Sequence, residues 1–252
     1  MTFHFNEFID IHTHILPGLD DGPQDMAGSI AIARCYENVG IKTVVATPHF
    51  LPGTAWAPTK EQVLNSVKLL QHHLDNENID LKIVPGMEIA YHKKLEERIL
   101  TNIVLPLGES GYFLIEPSFH GEQDGLLESL QILLNKGRRL ILAHPERADL
   151  FQQMPQVLNK LVDEGLKIQV NAGSLLGYFG TKCRDTVEQL RQGNSIHFLA
   201  SDAHDHRKRG PLNAAEWAKL LACSGAEELL ISGNNKIAEI FHLNNGLISS
   251  KS

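Results

Sequence analysis

The sequence predicts an α/β fold, a barrel of parallel strands with helices between them. Two observations carry this. Short β-rich runs alternate with amphipathic helical runs along the whole chain, the pattern of βα units. Most of the β-rich runs are continuously apolar, as in Val44-Val45-Ala46, Phe113-Leu114-Ile115 and Leu140-Ile141-Leu142, which suits strands covered on both faces. At 252 residues the chain fits one large barrel domain, and no linker, low-complexity tract or charge block divides it.

In order, a strand at Phe8–His12 leads to a helix at Asp25–Val39 that stops at Gly40. A strand at Thr43–Thr47 leads to a helix at Thr59–Asn76, opened by the capping-box pattern Thr59-Lys-Glu-Gln62. Strands at Lys82–Pro85 and Tyr112–Glu116 follow, then a helix at Leu126–Lys136 ending at Gly137. The strand Leu140–Ala143 precedes a helix at Pro155–Glu164 that ends at Gly165. The strand Lys167–Asn171 precedes a helix at Lys182–Gln192 that ends at Gly193. A last strand at Ile196–Ser201 is followed by helices at Leu212–Cys223 and Asn235–Phe241. Glycine after a helix relieves the left-handed strain of termination, so four helix ends are expected to be left-handed there.

Six of the seven strand-like runs end in a histidine, a carboxylate or both: Asp10-Ile-His12-Thr-His14, Thr47-Pro-His49, Gly86-Met-Glu88, Leu114-Ile-Glu116, Ala143-His144-Pro-Glu146 and Ser201-Asp202-Ala-His204. Strand C-termini of a parallel barrel share one face, where chemistry sits. One mouth would collect His12, His14, His49, Glu88, Glu116, His144, Asp202 and His204, more ligands than one ion needs and a match for two or three divalent metals. His12 and His14, two apart on a strand, face the same way. A carboxylate such as Glu88 or Glu116 in an apolar strand needs a pair or a metal, and a salt bridge to Arg147 is the alternative. Asp21 of Asp20-Asp21-Gly22 is a candidate ligand; both aspartates could instead cap the next helix. His72, His73, His4, His120, His242 and His197 carry no ligand pattern, whereas His92 and His206 lie near the site segments.

Arg147 follows His144-Pro-Glu146, and Arg209 lies in Arg207-Lys-Arg-Gly-Pro211. Arginine forks suit phosphate, so metals plus arginines argue for phosphate esters. With a net charge of -7, anionic substrates would be drawn by these local cations and not by the global field, and there is no basic footprint for nucleic acid. The aromatics Phe50, Trp56, Tyr178 and Phe179 lie in loops at strand ends and are candidates for holding an aromatic or peptidic substrate, with ordinary loop packing as the alternative for each. A cysteine phosphatase needs arginine six residues after its cysteine. Cys35, Cys183 and Cys223 are followed there by Ile41, Gln189 and Leu229, which excludes that chemistry. No serine-hydrolase or P-loop motif occurs. Three scattered cysteines, no basic-apolar leader and no long apolar run lead to the expectation of a cytoplasmic protein without membrane insertion.

The motifs D-I-H-T-H, D-D-G, T-P-H, G-M-E-I, A-H-P-E-R, Q-V-N and S-D-A-H, in order from about Phe8 to Ile240, resemble the polymerase and histidinol phosphatase (PHP) superfamily, in particular bacterial manganese-dependent protein-tyrosine phosphatases of capsule and exopolysaccharide systems. The resemblance implies a distorted (β/α)7 barrel and a trinuclear site of His12, His14, Asp21, His49, Glu88, Glu116, His144, Asp202 and His204. It implies manganese, with iron or zinc as alternatives, and a phosphate held by Arg147 and Arg209, with Arg207 as an alternative to Arg209. The expected reaction is hydrolysis of phosphotyrosine by a metal-activated hydroxide, on a protein such as a bacterial tyrosine kinase, with a metal-bound water or His206 as leaving-group acid. The rival readings are a PHP phosphatase for histidinol phosphate, an amidohydrolase, a nuclease and a metal-stabilised binding module.

Overall fold

A computed structural model describes residues 4–121, 125–223 and 225–240. After a 3-10 turn at Phe5–Glu7 come β1 (Ile9–Thr13), α1 (Met26–Val39), β2 (Thr43–Ala46), β3 (His49–Phe50), α2 (Lys60–Asn76), β4 (Lys82–Pro85), β5 (Glu88–Ala90), α3 (Leu95–Leu100), β6 (Tyr112–Glu116), α4 (Leu126–Asn135) and β7 (Arg139–Ala143). A second 3-10 turn at Pro145–Arg147 leads to α5 (Asp149–Gln153), α6 (Val157–Asp163), β8 (Lys167–Asn171), α7 (Ala172–Leu175), α8 (Thr181–Gln192), β9 (Phe198–Ala200), α9 (Ala214–Leu221) and α10 (Ala226–Ile240).

Every ladder is parallel, in two sheets ordered β1-β2-β4 and β3-β5-β6-β7-β8-β9. The nine strands form seven staves. The β2–β4 register (Thr43↔Lys82 to Ala46↔Pro85) continues unshifted in β3–β5 (His49↔Glu88, Phe50↔Ile89), so Thr47-Pro48 and Gly86-Met87 merely interrupt two staves. Pro48 lacks a donor but still accepts from Glu88 N across the gap, at 3.1 Å. Gly86 is needed there, because a Cβ would lie 2.9 Å from Leu107 and 3.0 Å from Val45.

The ring closes between β1 and the residues after β9 without a regular ladder. Thr13 bridges Ala203, His14 N donates to Ala203 O (2.8 Å), Asp202 N to His12 O (3.0 Å), and Asp10 accepts from Ser201 N (3.1 Å). The result is the distorted seven-stave β/α barrel that the sequence predicts. Ile9, Ile11, Val45, Leu114, Ile141 and Phe198 form one apolar cluster, joined by Ile237 of α10, while a larger cluster fills the space between strands and helices.

Helix ends follow local chemistry. Asp25 caps α1 by accepting from Gly28 N (2.9 Å), and both halves of the Thr59/Gln62 capping box are made. Gly40, Gly137 and Gly165 are left-handed as expected, at φ 86°, 71° and 110°. Gly193 is not: its φ is -76°, and Asn194 (φ 53°) makes the reversal one residue later. Asparagine tolerates that conformation, so the glycine was not required. The last helix begins nine residues before its expected start at Asn235, and Phe241 and His242 lie outside the described residues. The short helices α3, α5 and α7 had no sequence signal of their own.

Candidate metal centre

The strand ends deliver their side chains to one buried centre. His12 Nε2 and His14 Nε2 lie 3.3 Å apart; each is 3.2 Å from Glu88 Oε2, and they are 3.6 and 3.5 Å from Asp202 Oδ1. Two ligands on one tetrahedral ion with bonds of about 2.0–2.1 Å are roughly 3.4 Å apart. The spacing therefore matches the edges of a metal's coordination shell. A one-residue shift of the β1–β2 register between Asp10 and Thr13 spans His12, the kind of bulge that re-aims a side chain.

Two more groups adjoin it. Asp21 Oδ1 lies 3.2 Å from His204 Nε2 and 3.5 Å from His49 Nε2, with the His14 ring stacked on His204 at 3.8 Å. Glu88 Oε1 lies 2.8 Å from His144 Nε2, and Glu116 Oε2 lies 3.5 Å from His49 Nδ1. With Oε1 in one group and Oε2 in another, Glu88 has the placement of a bridging carboxylate. All nine predicted ligand positions thus meet in one place.

The cluster fits cations on two further grounds. Glu88 Oε2, His49 Nδ1 and His204 Nε2 are buried with no hydrogen-bond partner, and buried polar atoms of that kind require an explanation. The charges are also mutually dependent. Burial opposes ionisation of Glu88, but protonated His12 and His49 beside it hold its carboxyl well below the usual range. Burial and the Glu88 charge push Glu116 up to about 8. Burial lowers His49, yet Glu88 raises it to about 9. Burial disfavours charge on Asp21 too, but His204, His14 and His49 hold it at about 2. Two of the strand-end residues, His144 (φ 28°) and Asp202 (φ 55°), hold left-handed backbone, which costs about 1–3 kcal/mol each and is tolerated where function demands it.

Both arginines reach the rim. Asp202 Oδ2 accepts from Arg147 Nη1 at 2.6 Å and from Arg209 Nη2 at 3.3 Å. The guanidinium of Arg147 lies over both the Phe119 and Phe179 rings, 4.4 and 4.6 Å from their centroids, so two aromatic contacts hold it in place. Glu88 makes no pair with it, and the salt-bridge alternative gives way to the histidine cluster. Arg207 instead donates its Nε to the exposed His206 ring, so Arg209 is the arginine of that loop that reaches the centre. A cavity of about 380 Å³ opens from Asp202 and Arg209, between Tyr178-Phe179 and the 205–214 loop. Tyr178 is exposed and donates its hydroxyl to Glu216. Phe50 does not rim the mouth: it is buried in the core with Arg98 over its ring, and substrate could reach it only by displacing core side chains. The aromatic ring at the mouth from that loop is Trp56, parallel to the His49 ring at 5.8 Å.

Several polar residues around the centre take roles that the sequence reading did not assign to them. Asp20 accepts from His14 Nδ1 (2.7 Å), His49 N (2.9 Å) and Gly22 N (2.9 Å), so it orients a histidine and does not cap a helix. Asp10 accepts from the Tyr36 hydroxyl at 2.8 Å and from Ser201, stitching the ring shut. Glu146, pushed up to about 7 by burial, accepts from Asn171 N (2.8 Å) and Ser174 Oγ (2.7 Å) and so pins the turn that carries Arg147. Gln169 and Asn171 on β8 touch His12 and Asp202. A buried acid one residue from a candidate ligand was the available signal for Asp20. His92 accepts from Lys94 N and His206 from Arg207, neither of them at the centre.

A family model for capsular polysaccharide synthesis proteins, CpsB/CapC, matches residues 8–238. The tyrosine-protein phosphatase YwqE of Bacillus subtilis (strain 168) is 38% identical over 80% of this chain and 79% of its own. The tyrosine-protein phosphatase CpsB of Streptococcus pneumoniae is 29% identical over 91% of this chain and 97% of its own. The fold superposes with a TM-score of 0.85 on a crystal structure from work on YwqE of Bacillus subtilis and CpsB of Streptococcus pneumoniae, described as metal-dependent tyrosine phosphatases, at 33% identity over 93% of this chain and 94% of that one.

Proposed function

The chain belongs to the CpsB/CapC family, and from that premise we propose that it is a metal-dependent protein-tyrosine phosphatase. The observation that carries the reading is the convergence of nine ligand-type side chains with two arginines on the shared carboxylate Asp202. His12, His14, Asp21, His49, Glu88, Glu116, His144, Asp202 and His204 would hold two to three divalent ions, manganese first among them. Bound there, such ions acidify water and offset charge on phosphoryl oxygens.

The chain's own residues do the rest. Arg147, held in place by two aromatic contacts, offers a guanidinium edge to the phosphoryl oxygens. Arg209, held by longer contacts of 3.3 and 3.7 Å and with its Nε unpartnered, is the one free to turn from Asp202 and Asp21 toward an incoming phosphate. Aimed at the equatorial phosphoryl oxygens, over which the transition state spreads its charge, both guanidinium groups stabilise that charge. The phenol ring would lie among Trp56, Tyr178 and Phe179, and the cavity beside Arg209 would take the flanking peptide. The protein substrate in this reading is a bacterial tyrosine kinase of capsule or exopolysaccharide synthesis. The enzyme would act in the cytoplasm as a single domain spanning 1–252; no described helix is long and apolar enough to cross a membrane.

The test is turnover of a phosphotyrosine peptide beside histidinol phosphate, on protein of measured metal content. The peptide should be preferred, with rate following bound metal. Preference for histidinol phosphate would assign the protein to small phosphomonoesters, and inactivity of the metal-loaded protein would overturn the reading.

A further inference from the structure

We propose that Gln169 and Asn171 are positioning residues whose amides form a one-way hydrogen-bond chain from His12 to Asp202, fixing the tautomer of one metal ligand and the coordinating oxygen of another. The inference rests on the metal-centre reading above. The contacts are His12 Nδ1 to Gln169 Oε1 at 3.0 Å, Gln169 Nε2 to Asn171 Oδ1 at 2.9 Å, and Asn171 Nδ2 to Asp202 Oδ2 at 2.8 Å. All four side chains are buried. Gln169 and Asn171 are two apart on β8 and face the same way.

The direction of the chain follows from Asp202. An ionised carboxylate only accepts, so Asn171 must present its NH2 to Oδ2. Its carbonyl oxygen then faces Gln169, which must donate. That leaves Gln169 Oε1 toward His12, whose Nδ1 must carry the proton. The lone pair of His12 is thereby placed on Nε2, the atom that faces His14, Glu88 and Asp202. At the other end, Asn171 joins Arg147 and Arg209 on Oδ2, so Oδ1 is the oxygen left for the His12–His14 group. Outer partners of this kind orient ligands and tune metal affinity. An amide pair can do this where a carboxylate could not, because each amide accepts on one side and donates on the other.

Gln169→Met and Asn171→Leu remove the chain with little change in volume. Asn171 does not touch His12, so its loss acts on that ring only through Gln169. Zinc affinities are read by competition with a chelator, melting is read on metal-free protein, and His12 nitrogen shifts are read by NMR on zinc-loaded protein. In the wild type, His12 should show a protonated Nδ1 and a zinc-bound Nε2. In both variants one ion should weaken by roughly 10- to 100-fold while the others hold. The metal-free melting temperature should fall only by the few degrees that a buried polar group left unpaired costs. Should Asn171→Leu fail to fold, Gln169→Met gives the same readout alone. Unchanged affinity at every site, a His12 bound through Nδ1, or lower metal-free stability with intact affinities would each overturn the proposal while leaving the centre in place. A wild type that binds no zinc would remove the centre itself and the proposal with it.

Discussion

At the scale of single residues, the separation of ligands from phosphate-binding groups is the sharpest expectation. Arginine keeps its proton and offers no lone pair, so it cannot replace histidine on a metal. Arg147→Ala and Arg209→Ala should each cost about 2–4 kcal/mol of transition-state stabilisation, about 30- to 1,000-fold in kcat/KM, with metal content unchanged. His12→Ala or Glu88→Ala should lose metal and activity together; arginine variants that also lose metal would refute the assignment. Protons supply a second expectation. With Glu116 near 8 and His49 near 9, both are protonated at pH 7 in the metal-free protein. Metal binding at pH 7 should therefore release protons, and affinity should rise with pH until about 9. Calorimetry in buffers of different ionisation enthalpy measures the release; none at pH 7 would contradict it. The ligand positions were legible in the sequence because their residue types recur at strand ends. Gln169 and Asn171 were visible only as the motif Q-V-N, without a role, because β8 ends in amides, which carry no chemical signature until their partners are known.

At the scale of elements, helix boundaries with local side-chain caps were readable and those set by packing were not. The Thr59/Gln62 box marks the start of α2 because both partners lie within four residues. Thr59→Ala should lower stability by about 1 kcal/mol and leave KM unchanged, as followed by urea unfolding and steady-state kinetics. A change in KM would tie the 51–58 loop, and Trp56 with it, to that cap. Strands were legible through their apolar runs, but the break of two staves at Thr47-Pro48 and Gly86-Met87 was not. A continuous register across a gap is a property of the pair, and neither segment alone displays it. Phe50 shows the same limit: its place next to His49 suggested the mouth, yet β3 turns it into the core.

At the scale of the whole molecule, the ring is weakest in regular pairing where it is richest in ligands. His12 and His14 stand on one side of the closure, Asp202 and His204 on the other, and the junction itself has one bridge, two backbone hydrogen bonds and a few side-chain ties. Chelation should therefore lower the melting temperature by an amount on the order of 10 °C, and differential scanning calorimetry with and without EDTA reads this directly. An unchanged melting temperature would mean that the junction holds without ions.

The same junction has a topological consequence. Asp10 and Ser201 are 191 positions apart in a chain of 252, so an ion ligated from both sides would circularise most of the polypeptide. If it also stayed bound to the unfolded chain it would act as a long-range crosslink, worth roughly 5 kcal/mol in lost chain entropy by the reckoning used for disulfides. Held only by the native state, it acts instead as a latch that forms last, since a closure spanning that much chain is slow to assemble. Refolding followed by stopped flow should then show a final phase whose amplitude depends on added metal, arriving after the helices have formed.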